Sequence, residues 1–324
     1  ARSTVAVTDP DPWLRHLDPG LTGLAILCLV FFAAAQIPCR RPHPGRRHRL
    51  AELAAHACSL RASNRIDAAA LLIVTAFIVA HLSPPDLLRD TMPVGGDTPA
   101  HTYLADHLAA QLFGSGRIIS WADGWWCGFP MFQFYFCLPY VLMACLDLLL
   151  PFNVAFKLVS VSGMCLLPLG AYTSARLMRL PRPTPLLLAA AMVPYLFDRS
   201  HTMWGVNAYS TLAGMISNSI SFPIMLCFLG SALRDAEDDR FRLRTALLLS
   251  LLAASHFFTT LMACLTLLAA PLLFRRPRRA LRAVRILGTE GLLGLALMAW
   301  WLVPLIAKQP HAVAFGTNWD VDLP

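Results

Sequence analysis

The chain has 324 residues, of which 56% are hydrophobic and only 14% charged, with a net charge of +8 and a mean hydropathy of +0.56. Soluble domains carry about 25% charged residues, so this composition excludes an ordinary soluble enzyme and points to an integral membrane protein. The basic excess would suit nucleic acid in a soluble protein, but here the arginines gather between apolar runs and no basic stripe carries interleaved stacking aromatics, so nucleic acid is not an expected partner.

Spans of the hydrocarbon need on the order of 20 apolar residues. In chain order the candidates are 21–38, 67–83, 153–178, a short run at 185–197, 212–233, 244–274 and 286–307. Arginine-rich connections fall at 39–65 ("CRRPHPGRRHRLAELAAHACSLRASNR"), 176–183 ("RLMRLPRP"), 234–244 ("RDAEDDRFRLR") and 275–285 ("RRPRRALRAVR"). The positive-inside rule puts all four in the cytosol together with anionic lipid. An even number of crossings must then separate each pair.

That parity makes two predictions. The run 244–274 is too long for one crossing and reads as two short helices, broken near "SHFFTT" with His256 at the outer end. The run 132–150 cannot cross; it is a juxtamembrane or re-entrant element on the outer side. Counting 21–38 as a true span, the expectation is an all-α, polytopic transmembrane helix bundle of about eight crossings. It has two substantial external regions, 84–152 and 198–211, and Glu290, near the cytoplasmic end, either caps or pairs with nearby Arg285. The chain starts at Ala1 and stops at "TNWDVDLP", as a segment of a longer protein would.

The first external region holds "GGDTPAHTYLADHL" (95–108). Asp97 before Thr98 and Pro99 reads as a helix N-terminus, where an aspartate caps and proline is tolerated in the first turn. At about 100° per residue, His101 lies about 40° from Asp97, and Leu104 and Leu108 continue that face. Asp97 therefore either caps, or sits at the open end of a docked helix with its carboxylate free for chemistry. Asp106 and His107 fall toward solvent. Next comes "GSGRIISWADGWWCGFPMFQFYFCLPY" (114–140), whose aromatics, Trp125 and Tyr135 among them, form an interfacial belt or a wall for stacking sugar rings.

The order Gly-Asp-Thr-Pro-x-His, about twenty residues, then "G.I..W...W..GFP.F.FY..LPY" and an apolar helix resembles the first external loop of membrane glycosyltransferases of the GT-C fold. Among these it is most similar to the bacterial and archaeal membrane proteins labelled 6-pyruvoyl-tetrahydropterin synthase-related, a label taken as a name, since no pterin chemistry is suggested by the sequence. The resemblance covers roughly 67–310. It also takes in "MWGVNAYSTLAGMISNSISFP", "LLAASHFFTTLM" and "LALMAWWLVPL". It implies a single transmembrane domain over 1–324: an extra N-terminal span and arginine-rich loop at 1–66, a GT-C-like core at 67–310, and at 311–324 the start of a truncated external segment.

The resemblance further implies sugar transfer from a polyprenyl-phosphate donor to an acceptor, here a glycan, lipid or protein on the extracytoplasmic side of the cell membrane. The family's catalytic aspartate maps onto Asp97. A lipid phosphate leaves as a stable anion, so one general base suffices where a glycosidase needs two carboxylates. Lys157, in "NVAFKLVS", is the first candidate for a cation near the phosphate, against a snorkelling interface lysine. Arg117 and Arg199 are further candidates for substrate binding, against headgroup-facing arginines. His101, His201 and His256 are candidates against plain interfacial histidines. The loop shows no second acidic pair, so a divalent metal stays open as a cofactor. The alternative function is a non-catalytic lipid- or glycolipid-binding or transport protein of the same fold.

Overall fold

The computed structural model describes residues 49–125, 127–198 and 205–311, with side chains from Asn64 onward. The expected span 21–38, Trp126, the candidates Arg199 and His201, and the segment after His311 lie outside the described residues.

Among the described residues the protein is nearly all helix. In chain order the helices are α1 (Arg49–Ala80), α2 (Pro84–Leu88), α3 (Thr98–Ser115), α4 (Leu138–Asp147), α5 (Phe152–Leu177) and α6 (Thr184–Leu196). They continue as α7 (Ala208–Leu212), α8 (Ile216–Asp238), α9 (Leu243–Ser255), α10 (Phe257–Leu268), α11 (Pro277–Leu297) and α12 (Ala299–Lys308). A two-stranded antiparallel ribbon, β1 (Ser120–Ala122) with β2 (Phe129–Met131), lies between α3 and α4 and pairs Trp121 with Pro130.

The central pair is α5 and α8. Both are long and apolar enough to cross a membrane, and both contain a proline, Pro168 and Pro223, which membrane helices tolerate where neighbours re-satisfy the backbone. Small residues let them approach closely. A Cβ on Gly163 would fall 2.4 Å from the Ser219 backbone, one on Gly170 2.8 Å from Pro223, and one on Gly230 2.7 Å from Ser174. Lipid gives apolar side chains no reason to leave it, so such close backbone packing is how helices associate there.

The expectation of about eight crossings goes beyond what length and hydropathy identify among the described residues. Two described helices meet the length and hydropathy a span needs, and α11 with the α12 segment makes a third if the two, bent by 76°, count as one. The other apolar runs form shorter helices. The run at 185–197 yields the 13 residues of α6, and 244–274 yields the 13 and 12 residues of α9 and α10. Thirteen residues reach about 20 Å, and α9 runs from Arg242 at the arginine end to His256 in the cavity at the other end. The break between α9 and α10 falls at His256, whose extended backbone ends one helix while its side chain caps the next. The run 132–150 yields only the ten-residue α4, too short to cross.

The arginine-bearing connections 176–183, 234–244 and 275–285 meet at one end of the bundle. Arg182 bonds Asp67 at 2.6 Å and Arg176 lies 3.5 Å from the same carboxylate. Arg179, Arg234 and Arg242 all reach Asp238, and Arg282 pairs with Asp239. Glu290 is buried there too and accepts the backbone N–H of Arg242, the residue at the start of α9, at 3.1 Å, so of the two roles read from the sequence it takes capping and not the pairing with Arg285. The elements of the 84–152 segment, α3, the ribbon and α4, pack at the opposite end, with Ile216 and Ile220 of α8 in their core. From Ser217 to Arg234 along α8 is about 26 Å, so α8 separates two chemically different ends.

A candidate active site at the external-loop end

The segment before α3 is held in place by glycines. Gly95 and Gly96 adopt φ of 137° and 47°, and Gly214, on the facing turn between α7 and α8, adopts 120°. A Cβ on Gly96 would lie 2.0 Å from the carbonyl oxygen of Ala213, and one on Gly214 would lie 2.9 Å from Asp97 Cβ. The two turns touch backbone to backbone, and the Asp97 N–H donates to the Ala213 carbonyl at 2.8 Å. Asp97 occupies the cap position of α3, but its carboxylate makes no cap hydrogen bond and the residue is exposed. Of the two roles the sequence allowed, capping is the one its side chain does not play.

Asp97 stands on the rim of a cavity of about 440 Å³. Trp125, Phe129, Phe134 and Tyr135 give it an aromatic wall, and the polar lining is Asp97, His101, Ser217, Asn218 and His256. Each polar group comes from a different device. His101 sits one turn into α3 on its docked face with Leu104 and Leu108, and is buried; Asp106 points to water. Ser217 and Asn218 open α8. His256 sits at the α9–α10 break.

His101 Nδ1 and the Tyr140 hydroxyl share a hydrogen bond of 2.6 Å, which joins α3 to α4. Burial lowers the His101 pKa, against the opposing pull of Asp97 and the Gly214 backbone, and so favours a neutral ring. Burial also raises the pKa of the Tyr135 and Tyr140 phenols, which keeps both as neutral donors beside His101.

At His256, Nδ1 accepts the backbone N–H of Thr259 at 3.3 Å and lies 2.8 Å from its hydroxyl. A neutral ring whose Nδ1 accepts must carry its proton on Nε2. The ring is packed 4.9 Å from Phe136. Trp125 is fixed by stacking on Tyr103, with centroids 5.5 Å apart and planes 22° from parallel. His107, expected in solvent, is half-buried, 2.8 Å from the Ser120 hydroxyl and also stacked on Tyr103, with centroids 6.1 Å apart.

Five sequence candidates thus line one cavity: Asp97, His101, Trp125, Tyr135 and His256. Two do not join them. Arg117 follows the left-handed Gly116 that ends α3 and is exposed outside the lining. Lys157 is a correction. Its ammonium is buried and donates at 2.5 Å to the carbonyls of Asp86 and of Arg89, closing the C-terminal end of α2. It faces backbone, not the cavity, because the turn at 84–90 folds onto α5, where Asn153 also holds Asp90 at 2.9 Å. Ser217 and Asn218 escaped sequence reasoning, although two adjacent polar residues three and four positions after Gly214, at the start of an apolar span, were a signal. The Asn218 Oδ1 is buried without a partner among the described residues. Among those residues, no three His, Cys, Asp or Glu side chains gather as a metal site would need.

A model of the 6-pyruvoyl-tetrahydropterin synthase related domain, a membrane protein family, matches residues 132–317. The chain belongs to this family. Membership makes it a membrane protein, in agreement with α5 and α8. The match takes in Tyr135, Tyr140, Ser217, Asn218 and His256, while Asp97, His101 and Trp125 precede it. No curated protein and no solved structure matches the chain.

Proposed function

We propose that this family member is a membrane glycosyltransferase of the GT-C type, moving a sugar from a polyprenyl-phosphate donor to an extracytoplasmic acceptor. The observation that carries the reading is an exposed carboxylate, Asp97, spent on no cap and placed on the rim of an aromatic, half-polar cavity. Asp97 takes the proton of the acceptor hydroxyl as its oxygen forms the new bond to the anomeric carbon. The bond from that carbon to the phosphate oxygen breaks, and the lipid phosphate departs with the electron pair. No acid is needed on the leaving side. With Lys157 engaged elsewhere, the phosphate charge is met by neutral donors of the lining, the Nε2–H of His256 and the amide of Asn218. The aromatic wall takes the apolar faces of the sugar.

Orientation supports the same reading. The arginine-rich end is cytosolic by the positive-inside rule, which turns the cavity at the far end of α8 toward the outside of the cell membrane, where lipid-borne sugars are consumed. The test is direct. The purified chain, in detergent with a panel of radiolabelled polyprenyl-phosphate sugars and hydroxyl acceptors, transfers label from at least one donor. A chain that binds such donors and transfers none of them is a lipid-binding or transport protein.

A further inference from the structure

The opposite end of the bundle holds a second cavity, of about 210 Å³, lined by Arg176, Arg179, Arg234, Arg242, Arg244 and Leu177. We infer that this arginine pocket is a binding site for a phosphate group, carried by an anionic lipid headgroup or free in solution.

The charge count is the first ground. Against the five guanidiniums stand two carboxylates, which serve four of them: Asp238 receives Arg179, Arg234 and Arg242, and Asp235 receives Arg242 and Arg244. That leaves an excess of three positive charges. Arg176 draws on Asp67, but so does Arg182, so adding that pair leaves the excess unchanged. Solvated arginines on a loop would spread apart. These converge on one concavity from the end of α5, the end of α8 and the start of α9, and like charges held this close call for an anion.

The division of labour is the second ground. Arg234 and Arg242 are the most buried of the five, at 17% and 26% side-chain exposure, and are pinned by Asp235 and Asp238. They form a floor. Arg176, Arg179 and Arg244 stay 43%, 57% and 46% exposed, each in longer contacts of 3.2–3.5 Å with its carboxylate. Arg244 keeps its Nε on the Ser231 hydroxyl at 2.9 Å and Arg176 lies 3.4 Å from the Tyr172 hydroxyl, and the remaining N–H groups of the three can turn toward a ligand. A planar guanidinium offers two parallel N–H groups to phosphate oxygens, the geometry for which arginine surpasses lysine. The place also fits: at the end of two spanning helices, a basic pocket lies at headgroup depth, where anionic lipid concentrates.

The site is tested on the full chain in an uncharged detergent. Two probes are used, phosphatidylglycerol against phosphatidylcholine by native mass spectrometry, and inorganic phosphate against chloride at equal ionic strength by thermal shift. The wild type is expected to retain the anionic lipid at least tenfold over the zwitterionic one, or to be stabilised by phosphate beyond chloride. Lipid retained through millimolar phosphate assigns a headgroup; displacement, or stabilisation by phosphate alone, assigns a soluble anion.

The triple variant Arg176→Gln, Arg179→Gln, Arg244→Gln should lose about a hundredfold in affinity. Arg282→Gln, whose partner Asp239 lies outside the pocket, should stay within twofold of wild type. If the triple variant does not fold, Arg244→Lys keeps the charge, removes the fork and should still weaken binding severalfold. Wild-type chain with no preference for either phosphate probe, or variants that bind as wild type does, would overturn the site.

Discussion

A methyl group at position 96 would test whether the backbone contact between the two glycine turns sets the position of Asp97. In Gly96→Ala the new Cβ starts 2.0 Å from the Ala213 carbonyl oxygen, and the backbone φ of 47° is one that alanine resists. The left-handed conformation costs about 1–2 kcal/mol. The clash is with backbone, not with the end of a flexible side chain, so the turns must part by more than about 1 Å, a displacement that can cost a site about a hundredfold in rate. A hundredfold is about 2.7 kcal/mol of transition-state stabilisation, comparable with the strain but read by a different assay. The expected result is a modest fall in thermal stability together with a loss of about a hundredfold in sugar transfer at saturating donor. A variant that is destabilised yet turns over at the wild-type rate would refute the reasoning, since the turn would then have moved without consequence for catalysis.

Lys157→Met leaves the carbonyls of Asp86 and Arg89 without their donor; it should lower stability by about 2–4 kcal/mol in denaturant melts and leave donor-lipid affinity within about twofold. A large loss of donor affinity at unchanged stability would return Lys157 to the site. The depressed pKa of buried His101 makes protonation favour the unfolded chain. Its contribution is therefore complete above the unfolded value of about 6.5 and is lost as pH falls through the folded one. Thermal melts should show stability declining from pH 7 toward pH 5, and His101→Gln should flatten that decline; a wild-type curve rising toward pH 5 would contradict the assignment.

Much of the architecture can be read from where the arginines and the helix breakers lie. Parity of the arginine-bearing connections kept 132–150 from crossing and split 244–274 at His256, and both features follow from charge and length alone. Where a helix bends or breaks did not follow, because an apolar run records composition and not helical continuity. Nothing in "LALMAWWLVPL" announces a bend of 76° after Leu297; Trp301, beyond the bend, donates its indole N–H to the Phe132 carbonyl at 2.9 Å, a contact 169 residues distant. The same limit applies at the site. The helical spacing of Asp97, His101 and Leu104 gave the docked face of α3, but the Tyr140 bond to His101 depends on how α4 packs against it. Lys157 was misread for a related reason: a lysine at the mouth of a span has the same sequence context whether it faces a phosphate or the end of a five-residue helix.

The central claim, that Asp97 is the base of a sugar transfer, is tested most directly by Asp97→Asn in the purified full chain, with donor binding and single-turnover transfer measured on the same preparation. The substitution keeps the size of a side chain that is exposed and makes no cap bond, so folding and donor affinity should match wild type. Transfer should fall by about a thousandfold, within the range a lost general base commands. Transfer at close to the wild-type rate, with donor still bound, would contradict the account.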